Sequence, residues 1–308
     1  MSGKRLLVIG YLSIDTVTQA DGRLDRMAGG AGLYAALGAA GAGAPVDLCA
    51  SVGPDFPDPW LAALAQAGIG LGHLNYRDGA SRRADIRHHA DGRRQSTHYA
   101  DPEWWTASER HAPPIPDDLA GIGLVVACPM PTSRLAVLLD RARANAVPVL
   151  ADISEAVAEN EREAVLALLP RLDIFTPSRE ETRILLPGLG DDDAARALAD
   201  LGPAIIQKRG ADGMFVVEAG AAAERRLPAL ATKVIDPTGA GDASVGAMGA
   251  ARLAGSDLFA AASSGLRIGA LAVSGLGAGA LCPPLAPVRL PNKAPASGPV
   301  PVTGVPPR

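Results

Sequence analysis

From residue 121 onward, short apolar runs alternate with helix-length stretches, and this alternation limits the chain to few folds. Gly123 to Cys128 reads as a strand ended by Pro129, and Ser133 to Asn145 as an amphipathic helix. Val147 to Asp152 is a strand with a carboxylate at its end, followed by a helix from Glu155 to Leu168. Asp173 to Thr176 is a short strand, and Pro177 opens a helix carrying Glu180 and Glu181. A helix from Asp191 to Leu201 leads to a strand from Ala204 to Lys208, then to a tight turn, Gly210-Ala211-Asp212-Gly213, into Met214 to Val217. Repeated β-α-β units of this length require a parallel sheet wrapped by helices with right-handed crossovers. The first part agrees. Leu6 to Gly10 is a continuous apolar run of the kind a buried parallel strand uses, Val46 to Gly53 is another strand, and Pro59 to Ala67 is a helix ended by Gly68. The fold class is α/β, with a central, mostly parallel sheet flanked by helices.

Composition narrows the class further. The chain has 308 residues, 48% hydrophobic, with a formal charge of -4, an ordinary globular balance that argues against nucleic acid as a main partner. Aromatics make up only 4%, so the core rests on Ala, Val, Leu and Ile. Cys49, Cys128 and Cys282 are far apart and match no metal-binding spacing, and an odd number of thiols points to a reducing compartment. Neither a signal h-region nor a membrane-spanning run is present, so a cytoplasmic protein without a membrane partner is expected.

One stretch carries chemistry. Lys233-Val234-Ile235 is an extended apolar run leading into Asp236-Pro237-Thr238-Gly239-Ala240-Gly241-Asp242-Ala243, and a helix-compatible run follows from Ala243 to Leu253. Two glycines let the backbone turn tightly, and successive N–H groups then converge on one spot. The first helical turn adds unpaired donors and the positive end of the helix dipole, a combination that holds a phosphate or a developing oxyanion. Asp242 would repel a phosphate, but it fits as the acceptor of a proton from a hydroxyl attacking that phosphate. The competing reading is an N-capping Asp. Asp15 follows the first strand, where open α/β sheets place ligands, and reads equally as a turn-capping Asp. Gly29-Gly30 opens a second helix that runs through Tyr34.

Residues 72–101 differ in character. Arg82 to His89 and Arg94 to Tyr99 read as two strands around the turn Ala90-Asp91-Gly92-Arg93. Arginines in this ribbon, Arg82, Arg83 and Arg87 among them, belong either to a solvated face or to a site for an anionic substrate. Beyond Cys282 there are nine prolines in 26 residues, and residues 291–308 read as a disordered tail after a domain spanning 1–290.

The order of these motifs resembles the ribokinase-like (PfkB) carbohydrate kinases over about residues 4 to 285. The resemblance is most specific at Asp236 to Ala243, weaker at Gly29-Gly30 with Asp15 upstream, and includes Lys208 to Gly213. It implies a small β lid formed by about 11–28 and 72–101, through which relatives often dimerise, and it implies ATP, Mg²⁺ and a small-molecule acceptor. Asp242 would be the catalytic base, and the amides of Gly239, Ala240, Gly241 and Asp242 the anion hole. Asp15, Gly29, Gly30 and Tyr34 would hold the acceptor. Lys208, Gly210, Thr238, Gly239, Gly241 and Ser178 would contact the nucleotide. Glu181 would organise Mg²⁺ through water, and Asp236 would lie where relatives bind a monovalent cation such as K⁺. Two positions depart from the family pattern: Ser178 replaces the Asn of Asn-x-x-Glu, and Tyr34 stands where sugar kinases carry an Asn. The implied acceptors are a sugar or sugar acid first, then a nucleoside, then an inositol-like ring stacking on Tyr34. A non-catalytic ligand-binding protein on the same scaffold is the reading from another class.

Overall fold

The computed structural model of the chain describes residues 3–88, 94–96, 102–221 and 223–290. In chain order the strands are β1 (Arg5–Ile9), β2 (Ser13–Thr18), β3 (Leu24–Gly29), β4 (Val46–Val52), β5 (Ile69–Tyr76), β6 (Arg82–His88), β7 (Arg94–Ser96), β8 (Ile122–Ala127), β9 (Val149–Ala151), β10 (Ile174–Phe175), β11 (Ala204–Lys208), β12 (Met214–Val217), β13 (Glu224–Leu227) and β14 (Val288–Arg289). The helices are α1 (Ala31–Gly41), α2 (Asp58–Gln66), α3 (Pro102–His111), α4 (Thr132–Ala144), α5 (Glu155–Asn160), α6 (Arg162–Leu168), α7 (Arg179–Leu185), α8 (Asp191–Ala199), α9 (Ala240–Leu253) and α10 (Leu258–Ala272).

Among the described residues, nine strands form one sheet in the order β13-β12-β11-β10-β9-β8-β1-β4-β5. Neighbours from β5 to β11 pair in parallel, and β12 runs antiparallel to both β11 and β13. The strand order reverses at β1, which pairs with β4 on one side and β8 on the other. The crevice beyond the carboxyl ends of two such strands is where open α/β sheets bind ligands. Side-chain alternation along β1 builds two cores. Leu6 and Val8 pack with Leu33 and Leu37 of α1 and Met248 of α9, while Leu7 and Ile9 pack with Leu135 and Leu138 of α4.

Few large side chains separate α1 from α9. A β-carbon on Gly38 would lie 2.1 Å from the Ala243 carbonyl, and one on Gly246 would lie 1.8 Å from that of Ala35. The two backbones therefore approach as closely as glycine permits, which accounts for the Ala/Gly character of both helices and fixes the start of α9 against the start of α1.

A second, five-stranded sheet has the order β14-β3-β2-β6-β7. Strands β2, β3, β6 and β7 come from residues 13–29 and 82–96, and β14 adds an edge strand that the expected lid from about 11–28 and 72–101 did not include. Residues 72–76 belong to β5 of the large sheet, where His73 and Leu74 pair with Cys49 and Ala50. The turn at 90–93, Tyr99 and the tail from 291 lie outside the described residues. The helix expected from Glu155 to Leu168 is two helices. Glu161 leaves the helical region (φ -129°, ψ 28°), and its Oε2 accepts from the Thr132 N–H at 2.6 Å, capping the start of α4. Lys233 to Ile235 forms no strand, and Val234 and Ile235 are exposed. The three cysteines are buried and free, and no described helix is long and apolar enough to cross a membrane.

Candidate active site

A cavity of about 1030 Å³ opens between the two sheets and the start of α9. Gly239 is the N-cap of α9 and holds a left-handed conformation (φ 73°). Its exposed α-face is covered by the Tyr34 ring, since a β-carbon there would lie 2.2 to 2.4 Å from three ring carbons. The conformation demands glycine, and so does the space. Ala240, Gly241 and Asp242 form the first helical turn, and all three line the cavity. Thr238 lines it too, and its Oγ1 is buried without a hydrogen-bond partner. The loop before α9 is fixed by the Asp236 carboxylate, which is 1% exposed. Oδ1 accepts from the Thr238 N–H at 2.9 Å and Oδ2 from the Gly277 N–H at 2.8 Å.

Beside this turn sits a buried charge cluster. Lys208, at the end of β11, donates from Nζ to Asp152 Oδ2 at 2.5 Å, and the Asp152 Oδ1 is buried without a partner. A β-carbon on Gly241 would lie 3.8 Å from the Lys208 ammonium, which therefore flanks the first turn of α9. Glu181 completes the cluster. Burial pushes its carboxyl up to about 8, against the pull of Lys208 and with Asp152 adding to the rise. Burial likewise raises Asp152, with Lys208 opposing. Burial disfavours the Lys208 ammonium, but Asp152 and Glu181 more than offset this and keep it charged. Replacing Lys208 by Met should therefore lower stability by about 3 to 5 kcal/mol, because two buried carboxylates lose their cation. Denaturant unfolding measures this, and adding Asp152→Asn should restore part of the loss.

Ser178 and Glu181 also serve their own helix. The Ser178 Oγ accepts from the Glu181 N–H at 3.1 Å, and Glu181 Oε2 accepts from the Ser178 N–H at 2.6 Å. This is a capping box at the start of α7. The Ser178 hydroxyl keeps its own proton for a further acceptor.

The small sheet supplies the opposite wall. Tyr11, Ser13 and Asp15 line the cavity from one chain segment, and Arg82, Ala84 and Ile86 from β6 beside it, with Ser13 paired to Arg82 and Asp15 to Ala84. The Asp15 carboxylate lies on Gly29, where a β-carbon would be 1.9 Å from Oδ2, and accepts from the Ser13 Oγ at 2.6 Å. Strand alternation sorts the arginines. Arg82 faces the cavity, while Arg83 and Arg87 are exposed on the other face, Arg83 paired with Asp55 at 2.5 Å.

The structure thus gathers Asp15, Gly30, Tyr34, Ser178, Glu181, Lys208, Gly210, Thr238, Gly239, Ala240, Gly241 and Asp242 around one cavity. Gly29 and Asp236 stand behind its wall. Tyr34 lines the cavity with one part of its ring held against Gly239. Asp152, Tyr11 and Ser108 line the cavity without having been singled out as site residues. For Asp152 the signal was present, a carboxylate ending a central strand.

A mostly parallel sheet with a switch point, a small second sheet and a glycine-led helix start that shares one cavity with a carboxylate form the ribokinase-like arrangement. The chain belongs to the pfkB family of carbohydrate kinases, whose pattern it matches over residues 4–285. It is 31% identical over 245 residues to a cytidine kinase of Thermococcus kodakarensis, covering 78% of this chain and 86% of that protein. Among solved structures, the Burkholderia thailandensis nucleoside kinase in complex with inosine superposes with a TM-score of 0.74 at 18% identity, covering 88% of this chain and 92% of that one. An E. coli chain assigned as ribokinase II and solved with ATP and Mg²⁺ superposes with a TM-score of 0.73 at 22% identity, covering 89% and 94%.

Proposed function

We propose that the chain transfers the γ-phosphoryl group of ATP to a hydroxyl of a nucleoside. The observation that carries the reading is a single cavity with the start of α9 and Asp242 on one wall and Asp15 on the other. Phosphoryl transfer needs alignment, charge neutralisation and one base, with little covalent help from protein. Asp15 would orient the acceptor's hydroxyls, and Asp242 would take the proton from the attacking one. The amides from Gly239 to Asp242 and the Lys208 ammonium would hold charge developing on the transferring group. Gly210, Thr238 and Ser178 would contact the nucleotide.

The residues present fit a divalent cation. Asp152 has a buried oxygen without a hydrogen-bond partner, and the Glu181 carboxyl, held up by burial, gives up its proton more readily beside a cation. Mg²⁺ carried in with ATP would neutralise phosphate charge, and these two carboxylates would hold it, Glu181 through water. The small sheet would exclude water from the reacting groups.

The relative from T. kodakarensis supports a nucleoside as acceptor. A free sugar or sugar acid is the second reading, favoured by the cavity-facing Arg82, which would pair with a carboxylate. ATP consumption measured with cytidine, uridine, adenosine, ribose, a sugar acid and inositol decides between them. The expected result is turnover with at least one nucleoside at a kcat/KM at least tenfold above ribose. Turnover with sugars alone would overturn the acceptor, and none with any acceptor would favour a non-catalytic binding protein.

A further inference from the structure

Helix α3 packs against β6 and brings Ser108 to the cavity. Ser108 is 3% exposed, and its Oγ has no hydrogen-bond partner. A buried hydroxyl left unsatisfied costs free energy that a bound polar group can return. The main chain of the same residue is engaged, since its carbonyl accepts from the Tyr11 hydroxyl at 3.0 Å. That bond fixes the Tyr11 ring, which is 6% exposed, and the Arg82 guanidinium carbon lies 5.0 Å from the ring centroid. On β2 and β6, Arg82 pairs with Ser13, one rung along the same face from the Asp15–Ala84 pair. The cavity therefore has two polar stations side by side. Asp15 with Ser13 suits hydroxyls. Ser108 with Arg82 suits something else, because Arg82 only donates, whereas Ser108 both donates and accepts. The apolar side chains of Ala84 and Ile86 line the same strand face and give a flat ring a surface to lie on.

Resting on the nucleoside reading, the geometry points to Ser108 and Arg82 as the residues that select the acceptor's base, favouring a base whose ring carbonyl accepts from Arg82 while Ser108 Oγ bonds the adjacent polar edge. Cytosine and uracil present such an edge, whereas adenine has no carbonyl. An acceptor without a base leaves the Ser108 hydroxyl unsatisfied, so ribose is a poorer acceptor than cytidine. Sites built to hydrogen-bond a substrate group reject analogues that lack it.

The test compares kcat/KM for cytidine, adenosine and ribose in the full-length protein and in Ser108→Ala and Ser108→Thr. Thermal melting checks that each variant is folded. Losing one hydrogen bond should lower the cytidine-to-adenosine ratio of Ser108→Ala roughly five- to tenfold, mainly through the KM for cytidine. Ser108→Thr keeps the hydroxyl and should keep the ratio within about twofold. Arg82→Met should lower the same ratio by removing the donors to the carbonyl. A folded Ser108→Ala that loses activity equally on all three acceptors, or keeps the wild-type ratio, would overturn the inference while leaving the nucleoside reading intact. A wild-type protein that phosphorylates ribose but no nucleoside would overturn both.

Discussion

Replacing Asp242 by Asn is expected to lower kcat by roughly 10²- to 10⁴-fold, the range for loss of a positioned base. The substitution keeps the shape of the side chain and removes its affinity for a proton. Asp242 lies in the first turn of α9, half-buried on the cavity wall, and Asn is also tolerated near a helix start. The fold should therefore survive with a nearly unchanged melting temperature. Nucleotide binding should be kept or tightened, because a negative charge has left the neighbourhood of the phosphates. Steady-state turnover measures the first effect and nucleotide titration the second. A variant that retains kcat within tenfold of wild type would remove Asp242 from the role of base. A variant that loses nucleotide binding in proportion to kcat would make it a ligand-holding residue instead.

Gly239→Ala tests the anion hole from the other side. Two costs meet at this position. A residue with a β-carbon in the left-handed region pays about 1 to 2 kcal/mol. The added carbon would also lie 2.2 to 2.4 Å from three atoms of the Tyr34 ring, which is 2% exposed and cannot withdraw without disturbing the packed start of α1. Overpacking of this kind costs about 1 to 3 kcal/mol. The sum predicts a loss of about 2 to 5 kcal/mol in stability, read by denaturant unfolding. It also predicts at least a 10²-fold loss in kcat/KM, since amides displaced by about 1 Å no longer meet the transferring group. Pairing the change with Tyr34→Ala separates the two costs. The steric part should vanish and the torsional part persist, so the double-variant cycle should show a coupling of about 1 to 3 kcal/mol. Strict additivity would mean that the Tyr34 ring is not what confines Gly239.

Much of the fold is legible in the sequence because a parallel sheet buries both faces. Leu6 to Ile9 and Ile122 to Ala127 are nearly unbroken apolar runs that few other structures use. What escapes such reading is polar or short. Strand β13 is Glu-Arg-Arg-Leu, an edge strand with an exposed face, and β14 has only two residues. Helix α3 is Pro-Glu-Trp-Trp-Thr-Ala-Ser-Glu-Arg-His, and nothing in that sequence marks Ser108, one small polar residue among several, as the one that reaches the cavity. The helix start at Gly239 to Asp242 is visible because glycines and a carboxylate at that spacing have few other uses. The position of Tyr34 is not visible in that way. Its ring is placed by the glycine-mediated approach of α1 to α9, a tertiary event between residues some 200 apart in the chain. Ser178 shows how two signals can overlap, since Ser-x-x-Glu is both a motif departure and a capping box, and the structure uses the second.

The pairing of β14 with β3 has a consequence for how the molecule is made. Every strand of the large sheet lies before residue 228, so that sheet, with α9 and α10, has its full complement of partners once residue 272 has emerged from the ribosome. The small sheet does not. Its edge needs Val288 and Arg289 to lie against Arg26 and Asp25, residues synthesised near the beginning. During translation the α9 side of the cavity can thus be in place while the small sheet still lacks its edge strand, which pairs with β3 only after Val288 and Arg289 have been made.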